Sequence, residues 1–205
     1  MNIKKFVVGD MGNNNYLLTD NGEAVLIDCT GVIPELESFL KENNAELKYI
    51  FVTHGHFDHI SGIKKLQEKY DLKVYLHESD KELVEGTNDF MTMVGLPHID
   101  IPEIDIYLKG GEKLKVGNMV FDVIPLAGHT QGGVGYKTDN MLFAGDTIFM
   151  NSIGRTDLPG GDYETLVKSI EEKIFTLDEN TIIYSGHGAD TSVGYEKKYN
   201  VIVNN

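Results

Sequence analysis

Short apolar runs broken by turn residues open the chain. Residues 3–8, 14–19 and 24–28 are rich in Val, Ile, Leu, Phe and Tyr, and Gly12-Asn13-Asn14 and Asn21-Gly22 punctuate them. That pattern predicts strands joined by turns, here an antiparallel meander. Ile33, Leu36, Phe39 and Leu40 then recur at helical spacing. Leu47 to Val52 is a compact apolar run bounded by polar residues, which predicts a buried strand. Ile60, Ile63 and Leu66, spaced by three, mark one face of a helix, and Lys73 to Leu76 reads as a further strand. Residues 86–106 keep neither period. Met91, Met93 and Leu96 lie there among Gly95, Pro97 and Pro102, and an irregular, partly helical excursion is expected. Its Met-rich character makes it a candidate wall or lid for a substrate site. The pattern then resumes, with strands expected at 113–116, 119–124, 133–137 and 141–144. A helix from Tyr163 to Phe175, with Leu166, Ile170 and Ile174 on one stripe, precedes a last strand at 181–185 and a short C-terminal segment.

Two sets of strands, each with helices, suggest an α/β architecture in which two sheets pack face to face with helices outside, although periodicity alone does not distinguish this from other α/β arrangements. The 205 residues, 41% of them hydrophobic, suit one domain over 1–205 with a sizeable core, and no Pro/Gly/Ser-rich linker divides them. The formal charge of −14 and pI of about 4.8 disfavour binding to a phosphate backbone, so no nucleic-acid partner is expected. Cys29 is the single cysteine, which excludes an internal disulfide and fits a reducing cytoplasm. Met1-Asn2-Ile3-Lys4-Lys5 is not followed by a long apolar stretch, so no signal peptide is expected. No apolar run approaches the ~18 residues of a membrane span. A cytoplasmic protein without a membrane partner is the resulting expectation. The sequence sets no oligomeric state.

The histidines change the picture. There are seven, and His54, His56 and His59 fall within one six-residue segment, Thr53-His54-Gly55-His56-Phe57-Asp58-His59 being the stretch that holds them. His129 and His187 each follow a glycine, and so does Asp146, all at expected strand ends. Loops at strand ends are where functional residues concentrate in α/β folds, and glycine lets the backbone turn tightly beside a crowded site. His54 and His56, two apart, point the same way in extended backbone and can hold one metal ion. Asp58 and His59 follow where a helix starts and could hold a second. Imidazole and carboxylate ligands suit zinc, with iron or manganese also compatible. A core would not gather four ionisable side chains in six residues without something to compensate their polarity. His77 and His98, isolated from the cluster, read as ordinary solvated or hydrogen-bonded histidines, and Cys29 as a small core residue rather than a redox switch.

The motif His54-x-His56-x-Asp58-His59, followed by distant His129, Asp146 and His187, resembles the metallo-β-lactamase superfamily in order and spacing across nearly the whole chain. The resemblance implies an αββα sandwich. It also implies two divalent metal ions, one held by His54, His56 and His129, the other by Asp58, His59 and His187, with Asp146 bridging. Asp58 would in addition act catalytically, by orienting the attacking hydroxide. True β-lactamases of the superfamily usually carry cysteine where Asp146 stands, which argues against that activity. The segments Gly128-His129-Thr130-Gln131-Gly132-Gly133, Gly145-Asp146-Thr147-Ile148-Phe149 and Ile153-Gly154-Arg155-Thr156-Asp157-Leu158-Pro159-Gly160-Gly161 look most like short bacterial glyoxalase II-like thioesterases. The implied activity is metal-dependent hydrolysis of a small-molecule thioester of the S-lactoylglutathione type. Arg155 stands where full-length glyoxalase II carries a glutathione-contacting lysine, and it could grip an anionic tail bidentately or pin its own loop to Asp157. The C-terminal helical domain of full-length glyoxalase II is not expected, since the sequence runs about eighteen residues beyond His187. Gly186-His187-Gly188-Ala189 also departs from the Gly-His-Glu-Tyr of that family. Persulfide dioxygenases, which share the motif and use one iron on two His and one Asp (here His54, His129 and Asp146), are the alternative. A phosphodiesterase or lactonase of the same superfamily stands behind it.

Overall fold

The computed structural model describes residues 1–203. The opening meander is β1 (Asn2–Val8), β2 (Asn13–Asp20) and β3 (Glu23–Ile27), paired antiparallel in that order. Asn21 and Gly22 make its second turn with φ of 48° and 81°, the left-handed pair that a two-residue hairpin requires. From β3 the chain crosses over through α1 (Leu36–Glu42) to β4 (Glu46–Phe51), which lies parallel to β3. Two short helices follow, α2 (Phe57–Ile60) and α3 (Ile63–Gln67), before parallel β5 (Lys73–His77). The single helix expected around Ile60, Ile63 and Leu66 is therefore broken at Ser61-Gly62. The reason is a close approach: a Cβ on Gly62 would lie 2.3 Å from the Gly31 carbonyl oxygen and 2.6 Å from Cys29 Sγ.

Beyond α4 (Lys81–Glu85), the excursion that periodicity left irregular begins with α5 (Thr87–Val94), and it ends in the short strand β6 (Ile106–Leu108) paired with β5. The first sheet thus reads β1-β2-β3-β4-β5-β6. The second half forms β7 (Lys113–Val116), β8 (Met119–Pro125), β9 (Val134–Thr138) and β10 (Met141–Gly145). A small hairpin, β11 (Ile148–Phe149) with β12 (Ser152–Ile153), was not expected from the sequence. The expected helix at Tyr163–Phe175 is α-helical over α6 (Tyr163–Ser169) and widens to a π-helical turn over Ile170–Ile174. β13 (Ile182–Ser185), β14 (Thr191–Ser192) and α7 (Val193–Tyr199) close the chain. The second sheet reads β14-β13-β10-β9-β8-β7.

Apolar packing divides into three layers. Leu18, Val25, Ile27 and Phe51 of the first sheet meet Phe121, Val123, Tyr136 and Phe143 of the second. The alternate residues Leu17, Leu26 and Ile50 turn outward onto Leu36, Leu40, Ile60 and Ile63 of the helices. On the other side, Leu142, Ala144 and Ile183 pack on Leu166, Ile170, Ile174 and Val193. Strands covered on both faces need apolar residues at successive positions, and this is why β3, β4 and β10 read as continuous runs. The result is the expected αββα sandwich.

Candidate metal centre

The seven side chains singled out in the sequence converge at one edge of the sandwich, where strands end. His54, His56, Asp58 and His59 follow β4, His129 follows β8, Asp146 follows β10 and His187 follows β13. Main-chain contacts lock the loops together: Asn14 N–H donates to the Gly186 carbonyl at 2.7 Å, and Gly186 N–H to that of Gly145 at 2.8 Å. Two of the glycines are there because nothing larger fits. A Cβ on Gly145, whose φ is +51°, would lie 2.4 Å from Thr53 Oγ1, and one on Gly186 would lie 2.1 Å from Asp146 Oδ1.

Three sets of groups among the described residues each bring their ligand atoms within 4.8 Å of one another: His54, His56 and His129; His54, His59 and Asp146; Asp58, His59 and His187. The shared members make Asp146 the side chain lying between the first and last sets. His59 Nε2 is 3.4 Å from Asp146 Oδ1 and 3.6 Å from Asp58 Oδ2. His187 Nε2 is 3.4 Å from Asp58 Oδ2 and from Asp146 Oδ2.

The outer ring nitrogens decide which way the lone pairs face. His59 Nδ1 lies 2.8 Å from Asp28 Oδ2, His129 Nδ1 2.7 Å from the Arg155 carbonyl, and His187 Nδ1 3.1 Å from the Met11 carbonyl. These partners only accept, so each Nδ1 carries the proton. His54 Nδ1 lies 3.1 Å from Thr53 Oγ1, whose own proton is committed to Asp28 Oδ2 at 2.7 Å. That hydroxyl therefore accepts from His54. Every one of these four rings donates outward and, when neutral, keeps an Nε2 lone pair for the interior. This is the arrangement that fixes tautomer and direction in metal-binding histidines. His56 presents Nδ1 inward, 2.9 Å from His129 Nε2.

Burial without compensation points the same way. His54 Nε2 and Asp146 Oδ1 are buried and have no hydrogen-bond partner, an arrangement costly unless a further group fills the space. Burial, reinforced by the neighbouring histidines, pushes His54 well below its ordinary pKa and His56 down to about 4, so both are neutral donors of a lone pair. Burial opposes charge on Asp58 and Asp146 as well. Even so, His59 and His187 hold both carboxyls well below the usual range. His59 and His187 are raised in turn against their own burial, His59 by Asp146, Asp28 and Asp58, and His187 to about 10 by Asp146 and Asp58. The carboxylates thus draw positive charge onto His59 and His187. Neutral imidazole nitrogens, anionic oxygens and two orphaned polar atoms fit divalent cations.

Three supporting residues escaped sequence reasoning. Asp28, at φ 57°, accepts from Thr53 N–H, Thr53 Oγ1 and His59 Nδ1 and so aims two of the ligand rings. Asp80, 1% exposed, accepts from Gly55 N–H, Thr130 Oγ1 and Gly132 N–H and ties the His54–His56 loop to the His129 loop. Asn13 donates to Asp58 Oδ2 at 2.7 Å. The only sequence signal for them is position: Asp28 and Asp80 come right after β3 and soon after β5.

Arg155 makes the loop-pinning contact, one of its two readings. Its guanidinium is forked onto Asp157 by two hydrogen bonds of 2.7 Å, while its carbonyl orients His129. A cavity of about 330 Å³ opens beside His56, and Arg155 is not among its lining residues. The 86–106 segment forms part of the cavity wall, though not through its methionines. Met91 is 3% exposed and packed inward, Met93 is 73% exposed, and neither lines the cavity. Gly86, Thr87 and Phe90 of the segment do, beside Leu83 of the preceding α4. Cys29 is wholly buried, and burial pushes its thiol up to about 12.

A sandwich of two sheets between helices, with a histidine and carboxylate cluster at the strand ends, defines a metal-binding α/β protein. The metallo-beta-lactamase superfamily model matches residues 8–187, and the chain belongs to that family, whose members bind divalent metal ions. It is 36% identical over 209 residues to the hydroxyacylglutathione hydrolase GloC of Haemophilus influenzae, covering 100% of this chain and 99% of that protein. Among solved structures, the BLEG-1 B3 metallo-beta-lactamase is similar with a TM-score of 0.90 and 35% identity, over 99% of this chain and 100% of that one. TTHA1623, solved in a di-iron-bound form, is similar with a TM-score of 0.86 and 34% identity, over 97% of this chain and 99% of that one. The protein is a metal-dependent hydrolase of this superfamily.

Proposed function

We propose that the protein hydrolyses a thioester of the S-lactoylglutathione type at a centre of two divalent ions. The observation that carries the reading is the pair of convergent ligand sets, with their ring lone pairs turned inward. His54, His56 and His129 would hold one ion, Asp58, His59 and His187 the other, with Asp146 between them. Bound there, such ions supply a hydroxide nucleophile near neutral pH and polarise a carbonyl. Zinc suits this ligand set, and the likeness to a di-iron protein supports iron as well.

The chain's own groups do the rest. Asp58, tethered by Asn13 Nδ2, presents its carboxylate to the attacking water and takes up its hydrogen bond. Asp80 keeps the two loops of the first set in register. Water adds to the acyl carbon, a carbon–oxygen bond forms, the carbon–sulfur bond breaks, and the acid and the thiol leave. The likeness to hydroxyacylglutathione hydrolase GloC supports the thioester as substrate class. The mononuclear-iron reading would use only His54, His129 and Asp146, leaving the equally convergent Asp58, His59 and His187 without a role. The likeness to BLEG-1 would give β-lactam hydrolysis as a second reading of the same centre, with Asp146 standing against it where β-lactamases of the superfamily usually carry cysteine.

Metal-loaded protein assayed on S-lactoylglutathione, beside His56→Ala and Asp146→Ala, tests the proposal. Turnover that both variants lose supports it. Absence of turnover by fully loaded protein, or an Asp146→Ala variant with both ions and full activity, sinks it.

A further inference from the structure

The cavity beside His56 has a chemistry of its own. Phe57, Leu83, Phe90, Leu158 and Pro159 line it, and they come from three separate stretches of chain. Phe57, Leu83, Phe90 and Leu158 are only half-buried, so their apolar surface stays open. The lining includes no Lys or Arg among the described residues, and its acids are Asp80 and Glu82. Asp80 is consumed by its three hydrogen bonds to the loops. Arg155, on the loop that brings Leu158 and Pro159, is paired with Asp157. The cavity adjoins the metal centre, with which it shares His56.

An anionic group entering such a space would lose hydration and find no Lys or Arg in the lining to pair with, whereas an apolar group would gain by covering the open rings and aliphatic side chains. The volume of about 330 Å³ lies at the lower end of the ~300–1,000 Å³ of small-molecule sites. It suits a single short chain or ring. We infer that this cavity receives the acyl part of the substrate, and that the acyl group is uncharged, apolar and larger than lactoyl. The inference rests on the thioester reading and narrows it. Phe90 and Leu83, carried by α5 and α4, are the specificity-determining residues, and the thiol carrier lies outside the cavity.

Three thioesters of one carrier separate the possibilities: S-hexanoylglutathione, S-lactoylglutathione and S-succinylglutathione. Burying a methylene is worth roughly fourfold in an equilibrium. The hexanoyl compound is therefore expected to exceed lactoyl at least tenfold in kcat/KM, with anionic succinyl last. Phe90→Arg should collapse the hexanoyl-to-succinyl ratio and Phe90→Leu should keep it. A lactoyl or succinyl compound that matches or beats hexanoyl overturns the inference. If loaded protein turns over none of the three, the thioester reading fails by itself, and binding of the uncleavable thioethers decides the inference. S-hexylglutathione should then bind at least tenfold tighter than S-methylglutathione, with Phe90→Arg abolishing the difference. Equal affinities of the two thioethers for the wild-type protein would overturn the inference, whatever the turnover.

Discussion

Three hydrogen bonds end on the carboxylate of Asp28, two from Thr53 and one from His59. Through Thr53 Oγ1 the same carboxylate also sets His54. Asp28→Asn keeps the shape, and asparagine tolerates the left-handed backbone there. The amide, however, can no longer accept at both ends. Losing an outer-shell partner typically weakens metal affinity about 10–100-fold, and competition with a chelating dye should show a loss of that order. Unchanged affinity would remove Asp28 from the account. Cys29 makes the opposite case, a reactive residue type made inert by its place. With no exposure and its thiol pushed up to about 12, little thiolate exists at pH 8. Ellman's reagent should modify it only after unfolding, and rapid native labelling would contradict the packing. The ligand histidines were legible because spacing and preceding glycines set them apart. Asp28 and Asp80 were not, because a single acid among 32 carries no pattern until folding brings its donors to it, and Asn13 was not, because it read as a turn residue.

At the scale of elements, Phe51 at the end of β4 is the hinge between the sheets. Its ring stacks on Tyr136 at 5.1 Å and meets Phe121 and Tyr75 edge-on at 5.4 and 5.2 Å. Phe51→Ala should cost about 3–5 kcal/mol, read from urea unfolding of the metal-free protein. A loss below about 1 kcal/mol would mean that the layer repacks freely. Long buried strands and the stripe Leu166, Ile170, Ile174 were readable because burial on one or both faces writes itself into the sequence. β6, β11, β12 and β14 are two or three residues each, too short to show a period. The π-helical turn leaves the stripe intact and shifts only the hydrogen bonding beneath it. Residues 86–106 do supply part of the cavity wall, but through Gly86, Thr87 and Phe90, while Met93 turns to solvent.

Over the whole molecule, the proposed ligands come from both halves. Four follow the first sheet's β4, and three follow β8, β10 and β13 of the second. Ions at this edge would staple the two sheets. A ligand present at 100 times its dissociation constant adds about 2.7 kcal/mol, which for a chain of this size is a shift in Tm of roughly 5–10 °C. Chelation should lower Tm by that order, and readdition of metal should restore it. An unchanged Tm would separate the centre from the fold. The strand and helix pattern gave an α/β chain with two sets of strands, and the resemblance carried by the histidine motif narrowed it to the sandwich. That the two halves also share a centre followed from the order of the ligands, not from periodicity.

The measurement that bears most directly on the two-ion centre is a titration of metal-free protein with zinc, with hydrolysis of S-lactoylglutathione followed at each addition. The account predicts activity that rises until two ions are bound per chain and then stays level, with no such rise in Asp146→Ala. Activity complete at one ion, or present before any is added, would contradict it.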